Sequence, residues 1–198
     1  PAGMIVLRRR QEIELIRAAC QIVAEVLQRL VEVVAPGVST AELDALAEKW
    51  TRERGAVPAF KGYNDFPSSL CVSYNDIVVH GIPSAREFRE GDIVSVDCGV
   101  ELNGYFGDAA FTFAFQDVPE PVMELLRVTY VSLYKGLDQA VAGKRVGDIS
   151  FAIQYYCERE HPYSVVRELV GHGVGRSLHE DPEVPNYGRR KTGLKLQE

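Results

Sequence analysis

Residues 93–113 read IVSVDCGVELNGYFGDAAFTF, and this stretch decides the fold of the chain. β-Branched and aromatic residues are concentrated in two runs, 93–98 and 109–115. Between the runs lies Asn103-Gly104, a dipeptide typical of a tight hairpin turn. The sequence therefore predicts two antiparallel strands joined by that turn.

The predicted hairpin carries Asp97 on its first strand and Asp108 near the start of its second, each close to a glycine. Aspartate is depleted in strands, and an unpaired carboxylate inside a sheet is costly. Such residues pair with a polar partner, bind a metal ion, or cap a strand end or turn. Because both carboxylates can lie on one face of the hairpin, a metal site and a pair of structural caps are the two readings that the residues support.

The chain has 198 residues, 46% of them hydrophobic, and a formal net charge of −6 at pH 7. These values predict a single domain, residues 1–198, and the negative charge argues against nucleic-acid binding. The 4 cysteines are widely spaced, as is typical of reduced thiols in a cytoplasmic protein. No apolar run approaches the roughly 20 residues of a membrane span, and no signal peptide is recognisable. Pro1 to Gly3 are either native or a leader before Met4.

Periodicity and turn residues predict the remaining elements. Helices are predicted at residues 10–34, 39–55, 119–137 and 148–160. Ser39 with Glu42 forms the capping-box pattern at the start of the second helix. Further strands are predicted at residues 70–74, 77–80 and 165–170.

The sequence also contains a faint internal repeat. A shift of 106 positions superposes Gly37 on Gly143 and Glu42 on Asp148. Each half would contain a long helix, a glycine break, a shorter capped helix and then strands. The repeat predicts an α/β (α+β) fold of two pseudo-symmetric helix-helix-sheet halves, about 1–115 and 116–198. The second half is expected to be incomplete, with only the first of its strands.

Three of the histidines lie in segments rich in glycine or turn residues. His172 stands between two glycines, which let the backbone approach a site closely. His179 precedes an acidic stretch, and His80 ends the predicted strand 77–80. Imidazoles in such positions can bind metal or donate to a developing oxyanion, although a single histidine is more often structural or surface-exposed.

Nucleophilic catalysis is the competing enzyme class. The chain has no Gly-x-Ser-x-Gly motif, and Cys71 lies in mid-strand with no activating group beside it in sequence. A phosphate-binding loop of the Gly-x-x-x-x-Gly-Lys type is also missing from the sequence. The residues therefore favour metal-assisted over covalent hydrolysis.

In order and spacing, these segments resemble type I methionine aminopeptidases. The resemblance covers nearly the whole chain. The matching stretches are FKGY at 60–63, PSSLCVS at 67–73, VHGIP at 79–83, GDIVSVD at 91–97, NGYFGDAA at 103–110 and GHGVGRSLHEDP at 171–182. The resemblance implies the pita-bread fold, in which two pseudo-symmetric halves surround a dinuclear metal centre.

The resemblance also implies a role for each matching residue. Asp97 would chelate one metal ion, Asp108 would bridge two, and His172 would bind the second. His80 would contact the amine or leaving-nitrogen side of the substrate, and His179 would stabilise the tetrahedral intermediate. The expected cofactors are two divalent ions, which could be cobalt, manganese, iron, zinc or nickel.

Substrate specificity is expected to reside in an apolar pocket for the methionine side chain. The resemblance places Tyr63, Phe66, Cys71 and Leu178 in that pocket, although Phe66 and Leu178 stand where other members often carry a different large apolar residue. Asn75 is expected to help bind a monovalent cation.

The activity implied is hydrolytic removal of the N-terminal methionine from nascent proteins when the second residue is small. The expected partners are nascent polypeptides near the ribosome, without direct contact to nucleic acid or membrane, and the expected state is a cytoplasmic monomer when complete. The alternatives are another pita-bread hydrolase, such as an Xaa-Pro aminopeptidase, and a non-catalytic pita-bread binding protein.

The chain departs from the family pattern at its end. The family completes its metal site with two glutamates in later strands, and Glu198 matches neither. We therefore expect a C-terminally truncated chain with three of five ligands and weak or no activity.

Overall fold

The computed structural model describes residues 4–198, so the alternatives for Pro1 to Gly3 lie outside the described residues. The helices are α1 (Arg10–Val31), α2 (Thr40–Glu53), α3 (Glu120–Leu137) and α4 (Val146–Tyr155). The strands are β1 (Val57–Pro58), β2 (Leu70–Tyr74), β3 (Ile93–Leu102), β4 (Tyr105–Ala114), β5 (Val170–Gly173) and β6 (Glu180–Pro185). Within residues 4–198, no helix combines the length and apolar character needed to cross a lipid bilayer.

The described residues form two compact units. The first unit comprises residues 9–119 and 174–178, and the second comprises residues 4–8, 120–173 and 179–198. The prediction of a single domain is not tested by this division and stays a prediction.

The first unit is built around β3. Strand β4 pairs with β3 in antiparallel register along its whole length, from Ile93 opposite Ala114 to Leu102 opposite Tyr105. Strands β2 and β1 also pair antiparallel with β3. The hairpin predicted from Asn103-Gly104 is thus confirmed, and both turn residues have the positive φ that such a turn requires, 54° and 77°.

Helix α1 packs its apolar face on the sheet. Val23, Val26 and Leu30 are at most 1% exposed and belong to one core with Val94 and Val96 of β3. Their spacing of three and four residues places them on one side of a helix, which is why the pattern predicted α1 correctly. The helix ends at Val31, earlier than the predicted residue 34, ahead of Pro36-Gly37.

The second unit contains α3, α4 and the antiparallel pair β5–β6. Helices α3 and α4 approach closely at Gly136, where a Cβ atom would lie 2.9 Å from the Ile153 side chain. In β5–β6, His172 is opposite Glu183 and Gly173 is opposite Glu180, with a shift of register between His172 and Gly173. The expectation that only one strand follows residue 165 is therefore wrong.

The predicted repeat is visible where α2 and α4 begin. Gly37 N–H donates to Phe88 O at 2.9 Å, and Gly143 N–H donates to Leu196 O at 3.0 Å. Both glycines have a left-handed φ, 88° and 89°. In each unit, a later segment of the chain therefore accepts a hydrogen bond from a glycine that lies just before α2 or α4.

Two predicted strands are placed differently. Residues 77–80 form an irregular loop, and strand β5 begins only at Val170, so residues 165–169 are not in a strand. The apolar run Ile77-Val78-Val79 suggested a strand, but Val78 and Val79 are exposed to solvent and pair with no strand. Helix α4 likewise ends at Tyr155 and continues as a π-helical turn over Tyr156–Glu160.

Candidate active site

Asp97 and Asp108 lie on neighbouring strands and on the same face of the sheet. Asp97 is opposite Ala110 in the β3–β4 register, and Asp108 is two residues before Ala110, so the two carboxyl groups are diagonal neighbours. They are within hydrogen-bonding contact of each other. Burial, followed by the negative charge of Asp108, raises the pKa of Asp97. The hairpin therefore gathers two acidic groups that repel each other when both are ionised.

Two cysteines adjoin this carboxylate pair. Cys71 on β2 is the cross-strand partner of Asp97, and the Cys20 side chain lies against the backbone of Asp108. Burial, followed by the charge of Asp97, raises the pKa of Cys71 to about 12, and burial also raises the pKa of Cys20. Because only the thiolate is an effective nucleophile, these pKa shifts argue against covalent catalysis by either cysteine.

Gly107 allows α1 to lie close to the strand that carries Asp108. A Cβ atom at Gly107 would be 2.7 Å from the Cys20 backbone nitrogen, closer than real contacts permit. Gly107 is therefore needed for the packing of α1 on β4. In the sequence, the only indication of this role is that Gly107 belongs to the motif NGYFGDAA.

The residues predicted to line an apolar pocket are largely brought together. Cys71 and Leu178 are 5% and 3% exposed and form one cluster with Phe66. Tyr63 lies in the short helical turn Tyr63–Asp65 and is 41% exposed. The cluster also contains Phe60 and Phe106, which the sequence analysis missed as lining residues although both lie within the matching motifs.

His80 lies in the loop after β2 and is exposed. Its φ of 58° is left-handed, a conformation that residues other than glycine adopt rarely. Asn75, at the start of the same loop, donates its side-chain amide to Asp92 Oδ1 at 2.8 Å and accepts from the Ile93 N–H at 3.2 Å. The amide of Asn75 therefore holds the loop to the start of β3, and a cation-binding role stays a prediction.

His172 and His179 are neighbours in the second unit. Their ring centroids are 4.1 Å apart, with the planes tilted by 45°. His172 Nδ1 lies 2.9 Å from the Gly173 carbonyl oxygen. Because a carbonyl only accepts, this contact selects the tautomer with the proton on Nδ1 and the lone pair on Nε2, the arrangement common in metal-binding histidines.

The donor chemistry fits divalent metal ions. Asp97 and Asp108 offer hard carboxylate oxygens in contact, and the His172 tautomer has its lone pair on Nε2. Across residues 4–198, no group of three or more His, Cys, Asp or Glu side chains is gathered as a ready-made metal site.

The comparisons with known proteins agree on one family. The model of metallopeptidase family M24 matches residues 14–198. Methionine aminopeptidase from Clostridium acetobutylicum is 53% identical over 194 residues, which cover 98% of this chain and 77% of that protein. The chain belongs to metallopeptidase family M24. It is therefore a hydrolase of the metallopeptidase class, as predicted.

Solved structures of M24 metallopeptidases confirm the pita-bread fold. The crystal structure of methionine aminopeptidase from Rickettsia prowazekii has a TM-score of 0.95 and 40% identity, covering 98% of this M24 chain and 78% of that one. Prolidase from Pyrococcus furiosus has a TM-score of 0.82 at 24% identity, covering 96% and 54% of the two chains. The second likeness concerns the fold alone.

Proposed function

We propose that this M24 metallopeptidase removes the N-terminal methionine from polypeptides whose second residue is small. The observation that carries the proposal is the 53% identity, over 98% of the chain, to a protein named methionine aminopeptidase. The carboxylate pair supports the proposal as a candidate metal site. The apolar cluster of Phe66, Cys71 and Leu178 also supports it, because an apolar surface can bind a soft, apolar side chain such as methionine.

In this proposal Asp97 would chelate one divalent ion, Asp108 would be shared by two, and His172 would bind through Nε2. Bound ions would supply Lewis acidity towards the scissile carbonyl and would lower the pKa of the attacking water. The contact of the two carboxyl groups is consistent with this role, since buried like charges need a compensating cation. Cobalt, manganese, iron, zinc and nickel are all candidates, because availability decides among them.

The other polar residues act on the peptide. His80 contacts the amine or leaving-nitrogen side of the substrate, and His179 donates a hydrogen bond to the oxygen of the tetrahedral intermediate. Such donation stabilises charge that develops only in the transition state. Tyr63 lines the methionine pocket with the apolar cluster, and Asn75 contributes to a monovalent cation site.

The biological setting is proposed on the same basis. Nascent polypeptide N-termini are the substrate, and excision near the ribosome in the cytoplasm by a monomer fits that substrate. Direct contact with nucleic acid or membrane is not part of the proposal.

Peptide hydrolysis with added Co²⁺ or Mn²⁺ tests the proposal. For the product of the longest open reading frame that contains residues 1–198, we expect cleavage of Met-Ala-Ser, little cleavage of Met-Leu-Ser, and none of Ala-Pro-Ala. Asp97→Asn should abolish cleavage, whereas Asp138→Asn, exposed in the turn that follows α3, is the control and should retain it. Preferential cleavage of Ala-Pro-Ala would favour the Xaa-Pro alternative, and no cleavage of any peptide would favour a binding protein.

The assay should include residues 1–198 and the longest open reading frame that contains them. The weak or absent activity expected of residues 1–198 stays a prediction until both have been measured. Equal cleavage by both would contradict the expected dependence on two further glutamates.

A further inference from the structure

The backbone of Gly81 is fastened to β2 on both of its polar atoms. The Val72 N–H donates to the Gly81 carbonyl oxygen at 2.9 Å. The Gly81 N–H donates to the Ser73 hydroxyl oxygen at 3.1 Å. Consecutive residues of one strand therefore hold both polar groups of the residue that follows His80.

The approach of Gly81 to β2 leaves no space for a side chain. A Cβ atom at Gly81 would lie 2.2 Å from the Val72 carbonyl oxygen. Ser73 is only 4% exposed, so water has little access to replace its hydroxyl as the acceptor. These contacts define what we call the Gly81 clamp, formed by Val72, Ser73 and Gly81.

The clamp lies next to a strained residue. His80 has a φ of 58°, and the left-handed region is sterically unfavourable for a residue other than glycine. Such conformations persist where the surroundings impose them, and they are frequent at functional sites. The other end of the loop is held by Asn75, whose side chain bonds Asp92 and Ile93. Between the two anchors, exposed residues such as Val78 and Val79 contribute little packing.

We propose that Ser73 is a positioning residue that acts through His80, by holding Gly81 and with it the left-handed backbone of His80. The inference rests on the proposed function, in which His80 contacts the substrate. Ser73 itself touches neither the substrate nor a metal ligand in this account. Removal of its hydroxyl leaves the Gly81 N–H without its acceptor and allows the His80 backbone to relax.

Kinetics of Ser73→Ala test the proposal. A displacement of about 1 Å can cost up to about 10²-fold in rate, and for a relaxed loop we expect a loss of about 10-fold in kcat/KM for Met-Ala-Ser. In a His80→Ala background the same substitution should change kcat/KM less than about 2-fold, because it acts through a residue already removed. Ser73→Cys keeps the shape with a weaker acceptor, and it should lie between the wild type and Ser73→Ala.

Thr40→Val is the matched control. The Thr40 hydroxyl accepts from the Ser84 N–H at 2.8 Å and donates to the Ser84 carbonyl oxygen at 3.0 Å. It is as buried as Ser73, at 1% exposed, and it holds the same segment four residues beyond His80. Thr40→Val should lower stability without the loss of kcat/KM at a temperature where the protein is folded.

Amide hydrogen exchange at Gly81 supplies a readout independent of activity. Protection of this amide should fall in Ser73→Ala and persist in Thr40→Val. Unchanged protection, or an equal loss of kcat/KM with and without His80, would overturn the proposal, as would lost protection with wild-type kcat/KM. These kinetics are measured on the product of the longest open reading frame that contains residues 1–198. If that wild-type product fails to cleave Met-Ala-Ser, the proposed function and the catalytic role of Ser73 are both wrong, whereas the exchange experiment still decides whether Ser73 holds Gly81.

Discussion

The two strand pairs that carry the candidate ligands are built in opposite ways. In β3–β4 the register is continuous over both strands, and the carboxyl groups of Asp97 and Asp108 are brought together by regular alternation. In β5–β6 the register shifts at His172/Gly173, and His172 is oriented by the carbonyl of its own neighbour. A regular antiparallel register therefore positions the two carboxylates, whereas a shift of register beside a glycine positions the imidazole.

The largest effect should come from Asp97→Asn. Loss of a ligand oxygen should lower kcat/KM more than about 100-fold, beyond the cost of removing a partner of a ligand. In protein treated with EDTA the same change should raise Tm, because it removes a repelling charge beside Asp108.

His172→Ala separates the two regions. It should match the kinetic loss of Asp97→Asn but leave the Tm of the EDTA-treated protein unchanged or lower, since no like-charge pair is relieved. Full activity in both variants would show that Asp97 and His172 are not required metal ligands. A decrease in Tm for Asp97→Asn would contradict the proposed repulsion between Asp97 and Asp108.

Gly173→Ala in β5 should be more destabilising than Gly104→Ala in the β3–β4 turn. A Cβ atom there would lie 2.5 Å from the Asp181 carbonyl oxygen, and relief of such a clash requires a backbone shift that costs about 3 kcal/mol. Gly104→Ala in the β3–β4 turn meets no atom within 4 Å, but its φ of 77° should cost about 1 kcal/mol. Urea titration of both variants checks the order, and an equal loss would show that the bulge tolerates a side chain.

Substitution of Asp92 tests whether the ion pair with Arg86, just before β3, stabilises the β3–β4 sheet. Arg86 binds both carboxylate oxygens of Asp92, and this contact lowers the pKa of Asp92 to about 2. Because the folded pKa is below the unfolded value, the stabilisation is present above about pH 4 and is lost as the pH falls towards 2. Asp92→Asn should therefore cost about 2 kcal/mol at pH 7.

The pH dependence of unfolding gives the control for this prediction. The difference in the free energy of unfolding between the wild type and Asp92→Asn should shrink between about pH 4 and 2. A difference that stays constant with pH would mean that shape, not charge, holds the start of β3.

The smallest effect is expected within the ladder itself. The hydroxyl groups of Ser95 and Thr112 are 2.8 Å apart across β3–β4. Ser95→Ala should cost about 1 kcal/mol in the free energy of unfolding, and Thr112→Ser, which keeps the hydroxyl, should cost less. Thermal unfolding measures both, and a larger loss for Thr112→Ser would show that the methyl group matters more than the hydrogen bond.

Much of the first unit could be predicted from sequence because its signals are periodic. The β3–β4 hairpin follows from Asn103-Gly104, and α2 begins with the predicted box, in which Ser39 N–H donates to Glu42 Oε2 at 2.7 Å. The family and its fold followed from the motifs and are confirmed.

The elements that escaped prediction have misleading local sequences. Strand β6 reads EDPEVP, whose charges and prolines are unusual for a strand. Residues 77–79 are apolar and β-branched, yet Asn75 and His80, which flank them, both take a left-handed φ, 52° and 58°. The loop is held by hydrogen bonds from Gly81 to β2 and from Asn75 to Asp92 and Ile93, and the periodicity of the sequence does not indicate such contacts. The ligand and pocket assignments beyond the carboxylate contact remain predictions.

The hydrogen bonds that α2 and α4 share at their N-terminal ends constrain the backbone more than the sequence. Its shared bonds, Gly37 to Phe88 and Gly143 to Leu196, join main-chain atoms that every residue other than proline possesses. Side chains at these positions are free to diverge, as Ser39 in one copy and Arg145 in the other illustrate. A repeat held by main-chain hydrogen bonds can persist after most of its residue identities have changed, and here the glycines with a left-handed φ and the pair Glu42 and Asp148 are what remains in the sequence.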